Sequence, residues 1–522
     1  MNTPASRGLG RLLLACALAS GLGAFLSACS EEEDPPLVLT QSGALTGTRG
    51  ATADVFLGIP YAAPPVGDRR WRAPAAVTPW TGERAAVAMA PHCAQPASEF
   101  GMASSAEDCL YLNVYTPRSP GPHPVMVWVH GGAFYLGQSN AYNPEALVAQ
   151  GTVVVTLNYR LGALGFLANP ALSAEQGGHS GNYGLMDQQA ALRWVKTNIA
   201  AFGGDPANVT LFGESAGGFS VNAHLTAPAS RGLFHKAIAM SGAYPFAFGQ
   251  ETLAASETRG TGLAVEAGCP APQTAACLRA LPVQALLAAQ AKAYPSGPIP
   301  TVDGSVLTAP VRDTFASGGQ APVPVMQGTT HDEWRLFVAQ AELATGVPVT
   351  AETYLPTVTA TLGPLVASAA PLYPVAAYAN ASEALGAIGT DAVFACSGRA
   401  SARLLSATGS AVYSYEFNDP AAPQALPGTL SFNAGAAHTS ELPYLFTMPG
   451  SAALSPAQRS LADRMVRYWA RFARTGDPND GAAPAWPAYT AANDAYLSLA
   501  PTIAVTTNFA ADHQCAVWTP GV

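Results

Sequence analysis

A chain of 522 residues with 49% apolar and only 11% charged side chains holds ample material for a large buried core, in two or three average domains or one enlarged one. A formal net charge of −9 with no long basic tract excludes a phosphate-backbone partner such as nucleic acid and offers no basic patch to a membrane. The 50 glycines and 44 prolines imply many ordered loops instead of disorder, so composition favours a single large core.

The first element is a leader. Arg7 and Arg11 precede a largely apolar run from Leu12 to Ala28, the pattern of an export signal. The run ends in Leu26-Ser27-Ala28-Cys29, which resembles a bacterial lipobox with Cys29 as the lipidated first residue of the mature chain. Ordinary cleavage after Ala28 gives the same exported compartment without the anchor. Ser30, where an Asp would favour inner-membrane retention, points by the same resemblance to the outer membrane. Residues 29–39, with Glu31 to Pro36 acidic and proline-containing, read as a solvated tether, and residues 40–522 as one folded domain. Beyond Cys16 and Cys29, six cysteines remain: Cys93, Cys109, Cys269, Cys277, Cys396 and Cys515. An even number in an oxidising compartment predicts three disulfides, and the spacing is not that of a zinc site.

Val125–Val129 reads as a buried strand that ends in His130-Gly131-Gly132-Ala133, the place and composition of an oxyanion loop. Taken alone, the two glycines would fit a plain turn. In an acyl-transfer site, the N–H groups of Gly131 and Gly132 join that of Ala216 to face a developing oxyanion. His130 reads as the organiser of this loop and not as a base. Another strand is expected near residue 153. The β-prone run Asn208–Phe212 then breaks into Gly213-Glu214-Ser215-Ala216-Gly217, which fits the G-x-S-x-G nucleophile elbow, with a helix expected over Phe219–Leu225. The five residues alone also fit an ordinary tight turn; the flanking strand, helix and oxyanion loop select Ser215 as nucleophile.

A further strand is expected near residue 236, and another over Val323–Thr330. The latter exits into His331-Asp332-Glu333-Trp334, two carboxylates at a strand end that polarity does not separate. Asp303, Asp391 and Glu416 are weaker acid candidates, read as turn or surface groups. A serine hydroxyl needs a histidine base and a carboxylate to hold its tautomer, and in this type of sheet they follow the serine in the order acid, then histidine. The histidines after Ser215 are His224, His235, His331, His438 and His513. His438 leads because it sits in a small-residue loop, Asn433–Glu441, beyond a strand expected over Ala411–Phe417. No internal repeat competes with this alternation of strands and helices.

These residues together resemble the type-B carboxylesterase and cholinesterase family of α/β-hydrolases, from about residue 40 to the C-terminus. The resemblance rests on Phe56–Ala62, Glu107–Asn113, His130–Phe134, Asn158–Gly162, Gly181–Gln188, Phe212–Gly218, Gly435–His438 with Glu441–Tyr444, and Trp469 with Phe472-Ala473. It implies an α/β fold with a largely parallel central sheet flanked by helices and enlarged by insertions around the active site. It also implies Ser215 as nucleophile, Glu333 as acid, His438 as base, and Gly131, Gly132 and Ala216 as oxyanion donors. The family's use of Glu breaks the tie with Asp332, while Thr330 and His331 stand where a member more often has Asn and Lys. The implied disulfides are Cys93–Cys109, Cys269–Cys277 and Cys396–Cys515.

The expected reaction is hydrolysis of small-molecule carboxylic esters through an acyl-enzyme, without metal or organic cofactor. Residues 94–108 contain Phe100 as their sole aromatic and no Trp, which argues against a quaternary ammonium site and for uncharged esters. Tyr244, Phe246 and Phe248 are candidates either for a substrate pocket or for packing. Glu214 and Glu441 are expected to be supporting groups. The rival readings are amide or carbamate hydrolysis on the same triad, and a non-catalytic surface-binding protein of this fold. The oligomeric state is not legible.

Overall fold

The structure, a computed structural model, describes residues 34–98, 101–244, 250–295, 297–424, 426–481 and 484–521. The leader, Cys29, Phe100, Phe246 and Phe248 lie outside the described residues.

Fourteen strands are described: Leu37–Thr40 (β1), Gly43–Thr46 (β2), Thr48–Arg49 (β3), Ala53–Pro60 (β4), Glu83–Ala85 (β5), Tyr111–Pro117 (β6), His123–Val129 (β7), Val153–Leu157 (β8), Gly204–Glu214 (β9), Lys236–Met240 (β10), Val325–Thr330 (β11), Val412–Phe417 (β12), Tyr496–Leu499 (β13) and Ala504–Thr506 (β14). β1, β2 and β5 make a small separate sheet, and the other eleven form one sheet in the order β14-β13-β12-β11-β10-β9-β7-β8-β6-β4-β3. From β8 to β13 every neighbour pair is parallel. The β6, β4 and β3 edge and the β14 edge are antiparallel.

The strands expected near 125, 153, 208, 236, 323 and 412 are β7 to β12, the contiguous parallel centre. Their legibility has a physical reason. A parallel strand covered by helices on both faces is apolar throughout, so it reads as an uninterrupted hydrophobic run. In β7, Val125, Val127 and Val129 enter the core on one face while Met126 and Trp128 enter the core on the other. The first face is covered by the helices Tyr183–Asn198, through Leu185, Leu192 and Val195, and Ala216–Thr226, through Val221 and Leu225. The second is covered by the long helix Pro456–Thr475, through Leu461, Met465, Trp469 and Phe472. That helix starts on a Ser455/Gln458 capping box with Pro456 in its first turn and stops at Gly476 with φ +81°.

Several residues of the recognised motifs hold the frame together. Arg160 donates from Nε and Nη2 to the two oxygens of Asp187, each at 2.7 Å, with both side chains buried. Arg70 pairs in the same forked way with Glu107 and also donates to the carbonyl oxygens of Arg279 and Leu281. The three disulfides are Cys93–Cys109, Cys269–Cys277 and Cys396–Cys515, the pairing the resemblance implied.

Candidate active site

The strand β9 runs into Ser215, which has φ +55° and ψ −124°, and the helix Ala216–Thr226 starts at the next residue. A β-carbon at Gly217 would collide with the carbonyl oxygen of Val129, so the turn closes against the end of β7 only because that position is glycine. The Ser215 N–H donates to the Met240 carbonyl at 2.9 Å, tying the elbow to β10. Ser215 is half-buried, whereas Ala216, Gly217 and Gly218 are buried.

At the end of β7, Gly132 has φ +106° and faces the Leu136 carbonyl, leaving no space for a side chain. The Leu136 N–H donates back to the Gly132 carbonyl at 2.8 Å, which closes the loop. His130 serves this loop. Its Nδ1–H donates to the Gly131 carbonyl at 2.8 Å, its ring stacks on Tyr159 at 4.5 Å, and the Tyr159 hydroxyl donates to the His130 carbonyl. Burial lowers the His130 imidazole to about 4, which leaves it neutral and fits the organiser reading.

Glu333 follows β11 and is fully buried. One of its oxygens accepts from Thr329 Oγ1 at 2.5 Å and from the Thr330 N–H at 2.8 Å; the other accepts from His438 Nδ1. Burial would raise this carboxyl, but the neighbouring His438 and the donated hydrogen bonds hold it below its ordinary value. The His438 N–H donates to the Glu333 carbonyl, so main chain and side chain of the two residues are joined.

Asp332 has a different part. Its carboxylate accepts the Ala436 N–H at 2.9 Å and pairs with Arg335 at 3.0 Å, which fixes the loop carrying His438. Geometry thus separates the two acids that sequence polarity left equivalent. The Thr330 contact to Glu333 is made by the backbone, so the exchange of side chains at 330 does not disturb it.

The opposite nitrogen of His438, Nε2, lies 3.2 Å from Glu214 Oε1, one residue before Ser215. Among the described residues no hydrogen bond joins Ser215 Oγ to His438, and Glu214 Oε1 has no hydrogen-bond partner. Burial, then the negative charges of Glu441 and Glu333, raise the Glu214 carboxyl well above its ordinary value; Glu441 is raised to about 8 by burial and by Glu333. Three neighbouring buried carboxyls, two of them at the His438 imidazole, cannot all be ionised at little cost, and the hydrogen bonds give the charge to Glu333. The closeness of Glu214 to His438 has no periodic or motif signal beyond its place in the elbow.

Aromatic rings lie against the imidazole, and a hollow with apolar and polar lining opens beside it. Phe394 and Phe337 lie with ring centroids 4.9 and 5.5 Å from that of His438, and Leu336, Ala339, Leu426 and Ala434 line a hollow beside it. Tyr244 packs edge-on against Phe219 at 5.2 Å.

The remaining candidates fall elsewhere. His224 is buried between Ser230 and Gln188, and His235 accepts the Val209 N–H. Asp303 makes a turn, accepting three backbone N–H groups from Ser305, Val306 and Leu307. Asp391 and Glu416 are not surface groups. Both are buried because His513 lies between them, at 2.6 and 2.7 Å, and His331 adds a 2.8 Å contact to Glu416.

A profile described as "Carboxylesterase family" matches residues 34–518. The chain is 37% identical over 487 residues to a fumonisin B1 esterase of Sphingopyxis macrogoltabida, covering 88% of this chain and 86% of that protein. It is 36% identical over 475 residues to a para-nitrobenzyl esterase of Bacillus subtilis (strain 168), covering 87% and 92%. It is 35% identical over 517 residues to carboxylesterase 4A of Bos taurus, covering 89% and 91%. With this similarity along nearly its whole described length, and with a large mixed sheet flanked by helices, the chain belongs to the carboxylesterase family of α/β-hydrolases and is an esterase.

Proposed function

We propose that this esterase hydrolyses small, uncharged carboxylic esters by a two-step acyl transfer carried by Ser215, His438 and Glu333. The observation that carries the reading is the orientation of His438: Nδ1 is fixed by a buried carboxylate, and Nε2 is turned to the end of the elbow strand. His438 takes the Ser215 proton, and Oγ attacks the ester carbonyl. The N–H groups of Gly131, Gly132 and Ala216 hold the oxyanion, and the alcohol leaves with the proton of His438. Water activated by the same imidazole then releases the acid, while Glu333 stays ionised and holds the tautomer. Burial and the neighbouring carboxylates raise the Glu214 carboxyl and so weaken its hold on Nε2, which leaves that nitrogen to engage Ser215 as substrate enters; such hydrogen bonds often tighten only in the substrate complex.

The hollow beside His438 carries no acidic or basic side chain other than the imidazole, its polar lining being Gln424 and Ser440, which supports an uncharged substrate. The esters named for the relatives extend to this chain only as the same bond class. Export on the leader, with anchoring at Cys29, is part of the proposal and rests on the residues around the cleavage point.

The test is turnover of a p-nitrophenyl ester series from acetate to long acyl chains by the wild type and by Ser215→Ala. Loss of turnover to background in the folded variant supports the mechanism, and the chain-length optimum sizes the acyl pocket. Persistent turnover in Ser215→Ala would overturn it.

A further inference from the structure

Outside the candidate active site, buried titratable groups gather where the Glu333 loop, the end of β12 and the C-terminal segment meet. His331 Nδ1 lies 2.8 Å from Glu416 Oε1, and His513 Nε2 lies 2.7 Å from the same oxygen. One ligand atom from each of these three residues lies within 4.8 Å of the others. We propose that His331, Glu416 and His513 form a binding site for one divalent transition-metal cation of the zinc class.

Three features carry the proposal. The first is the donor set, two imidazoles and one carboxylate from three separate segments. This set suits zinc, leaves a fourth position for water, and does not suit calcium or magnesium, which take oxygen.

The second is outer-shell support. His513 Nδ1 is held by Asp391 at 2.6 Å, Asp391 accepts the Tyr373 hydroxyl at 2.7 Å, and that hydroxyl accepts the Trp518 N–H at 2.7 Å. A carboxylate on the far nitrogen fixes the ring and makes Nε2 a better ligand, which is the arrangement metal-binding histidines need.

The third is charge. Both nitrogens of His513 face carboxylate oxygens, so without a metal the imidazole must carry both protons. The charged groups that face the two rings are Asp391 and Glu416 around His513, and Glu416, Asp332 and His513 itself around His331. A cation entering between His513 Nε2, Glu416 and His331 Nδ1 displaces the proton that each of these nitrogens directs at Glu416: the Nε2 proton of His513 goes to solvent, the Nδ1 proton of His331 goes to solvent or to Nε2 of the same ring, and the metal's two positive charges take their place, so the two buried carboxylates stay compensated.

The exchange requires a local opening of the cluster. Ligand atoms about 2.0–2.2 Å from a tetrahedral zinc sit about 3.3–3.6 Å apart, so each imidazole nitrogen must move about 0.5–0.9 Å away from Glu416 Oε1. His331 has room to do so, because its side chain is 37% exposed and gives the site an entry path.

The experiment is calorimetric titration of the chelator-stripped, dialysed protein with zinc chloride at pH 7.5, in two buffers of different ionisation heat. The expected result is one saturable zinc per chain, at least one proton released per zinc, weaker binding at pH 6, and a higher Tm with zinc present. His331→Gln, at the exposed side of the cluster, should remain folded without metal and bind zinc at least tenfold more weakly. Asp391→Asn should weaken binding about 10- to 100-fold. Calcium chloride should give no saturable binding. Absence of saturable zinc binding by the folded wild type, or an unchanged affinity in His331→Gln, would overturn the proposal and leave the cluster as an ion-paired hydrogen-bond chain. Neither result depends on esterase turnover.

Discussion

Backbone strain collects around Ser215. Ala133, Phe134, Ser215, Ser241 and Thr439 all have positive φ, between +49° and +71°, and they sit at the ends of β7, β9 and β10 and beside His438. Each such residue costs about 1–3 kcal/mol and persists because the surrounding sheet over-determines it. A change that moves this backbone should therefore act on rate more than on binding. Gly132→Ala would push the loop away from the Leu136 carbonyl, and we expect about a 100-fold loss of kcat with KM nearly unchanged. Steady-state kinetics on a p-nitrophenyl ester checks this; a loss confined to KM would count against the oxyanion role.

The buried histidines make a second residue-scale prediction. Burial lowers His130 to about 4 and His224 to about 3. As pH falls below about 6.5 the unfolded chain takes up protons that the folded chain refuses, so stability declines with falling pH. Each histidine should remove about 2 kcal/mol between pH 6.5 and pH 5. The groups raised by folding, His331 and His513, act in the opposite sense, their contribution being complete below about 6.5 and lost as pH rises through their folded values. Urea melts at pH 7 and pH 5 measure the acid side, and His224→Gln should flatten it; an identical slope in that variant would refute the assignment.

At the scale of elements, the proposed site is made by strand ends. β7, β9 and β11 each deliver one part, namely the Gly131-Gly132 loop, Ser215 and Glu333, and the loop after β12 delivers His438. The parallel bridge between Asp332 and Ala437 and the hydrogen bond from His438 N to Glu333 O couple the last two parts. These central strands were readable because their double burial writes an apolar run. The antiparallel edge strands β4 and β6 carry mixed polarity, with Asp54 and Asn113 among their residues, and were legible only as motif residues. The buried Arg160–Asp187 pair joins the segment after β8 to the helix Tyr183–Asn198. Breaking it by Asp187→Asn should cost about 3–5 kcal/mol, because a buried guanidinium is left without its counter-charge. Denaturant unfolding measures this; a change below about 1 kcal/mol would show the pair to be dispensable.

For the whole molecule, the Cys396–Cys515 disulfide ties the last described helix turn to the body across a sequence separation of 119 residues. Cross-linking so long a loop removes much entropy from the unfolded chain, about 4–5 kcal/mol in the chain-entropy account. The double variant Cys396→Ala/Cys515→Ala should lower Tm by several degrees, and calorimetry reads it directly. The same segment carries His513, so this variant should also weaken the zinc binding proposed above. At the other terminus, Cys29→Ala should abolish incorporation of labelled palmitate and move the protein from the membrane to the soluble fraction; an unchanged membrane fraction would argue against the lipid anchor.

Sequence by itself determined what local patterning writes: the parallel centre of the sheet, the elbow at Ser215, the glycine loop at Gly131-Gly132 and the even cysteine count. It also ranked His438 first, because only that histidine sat in a small-residue loop beyond a late strand. Tertiary structure decided what depends on side chains far apart in the chain. It gave Glu333 the imidazole and Asp332 the loop, separated by which backbone N–H groups each carboxylate meets. It brought Glu214 beside His438, and it buried Asp391 and Glu416, which had read as surface groups. A carboxylate is buried or exposed according to the partner that compensates its charge, and here His513 arrives from 122 residues away along the chain to meet Asp391.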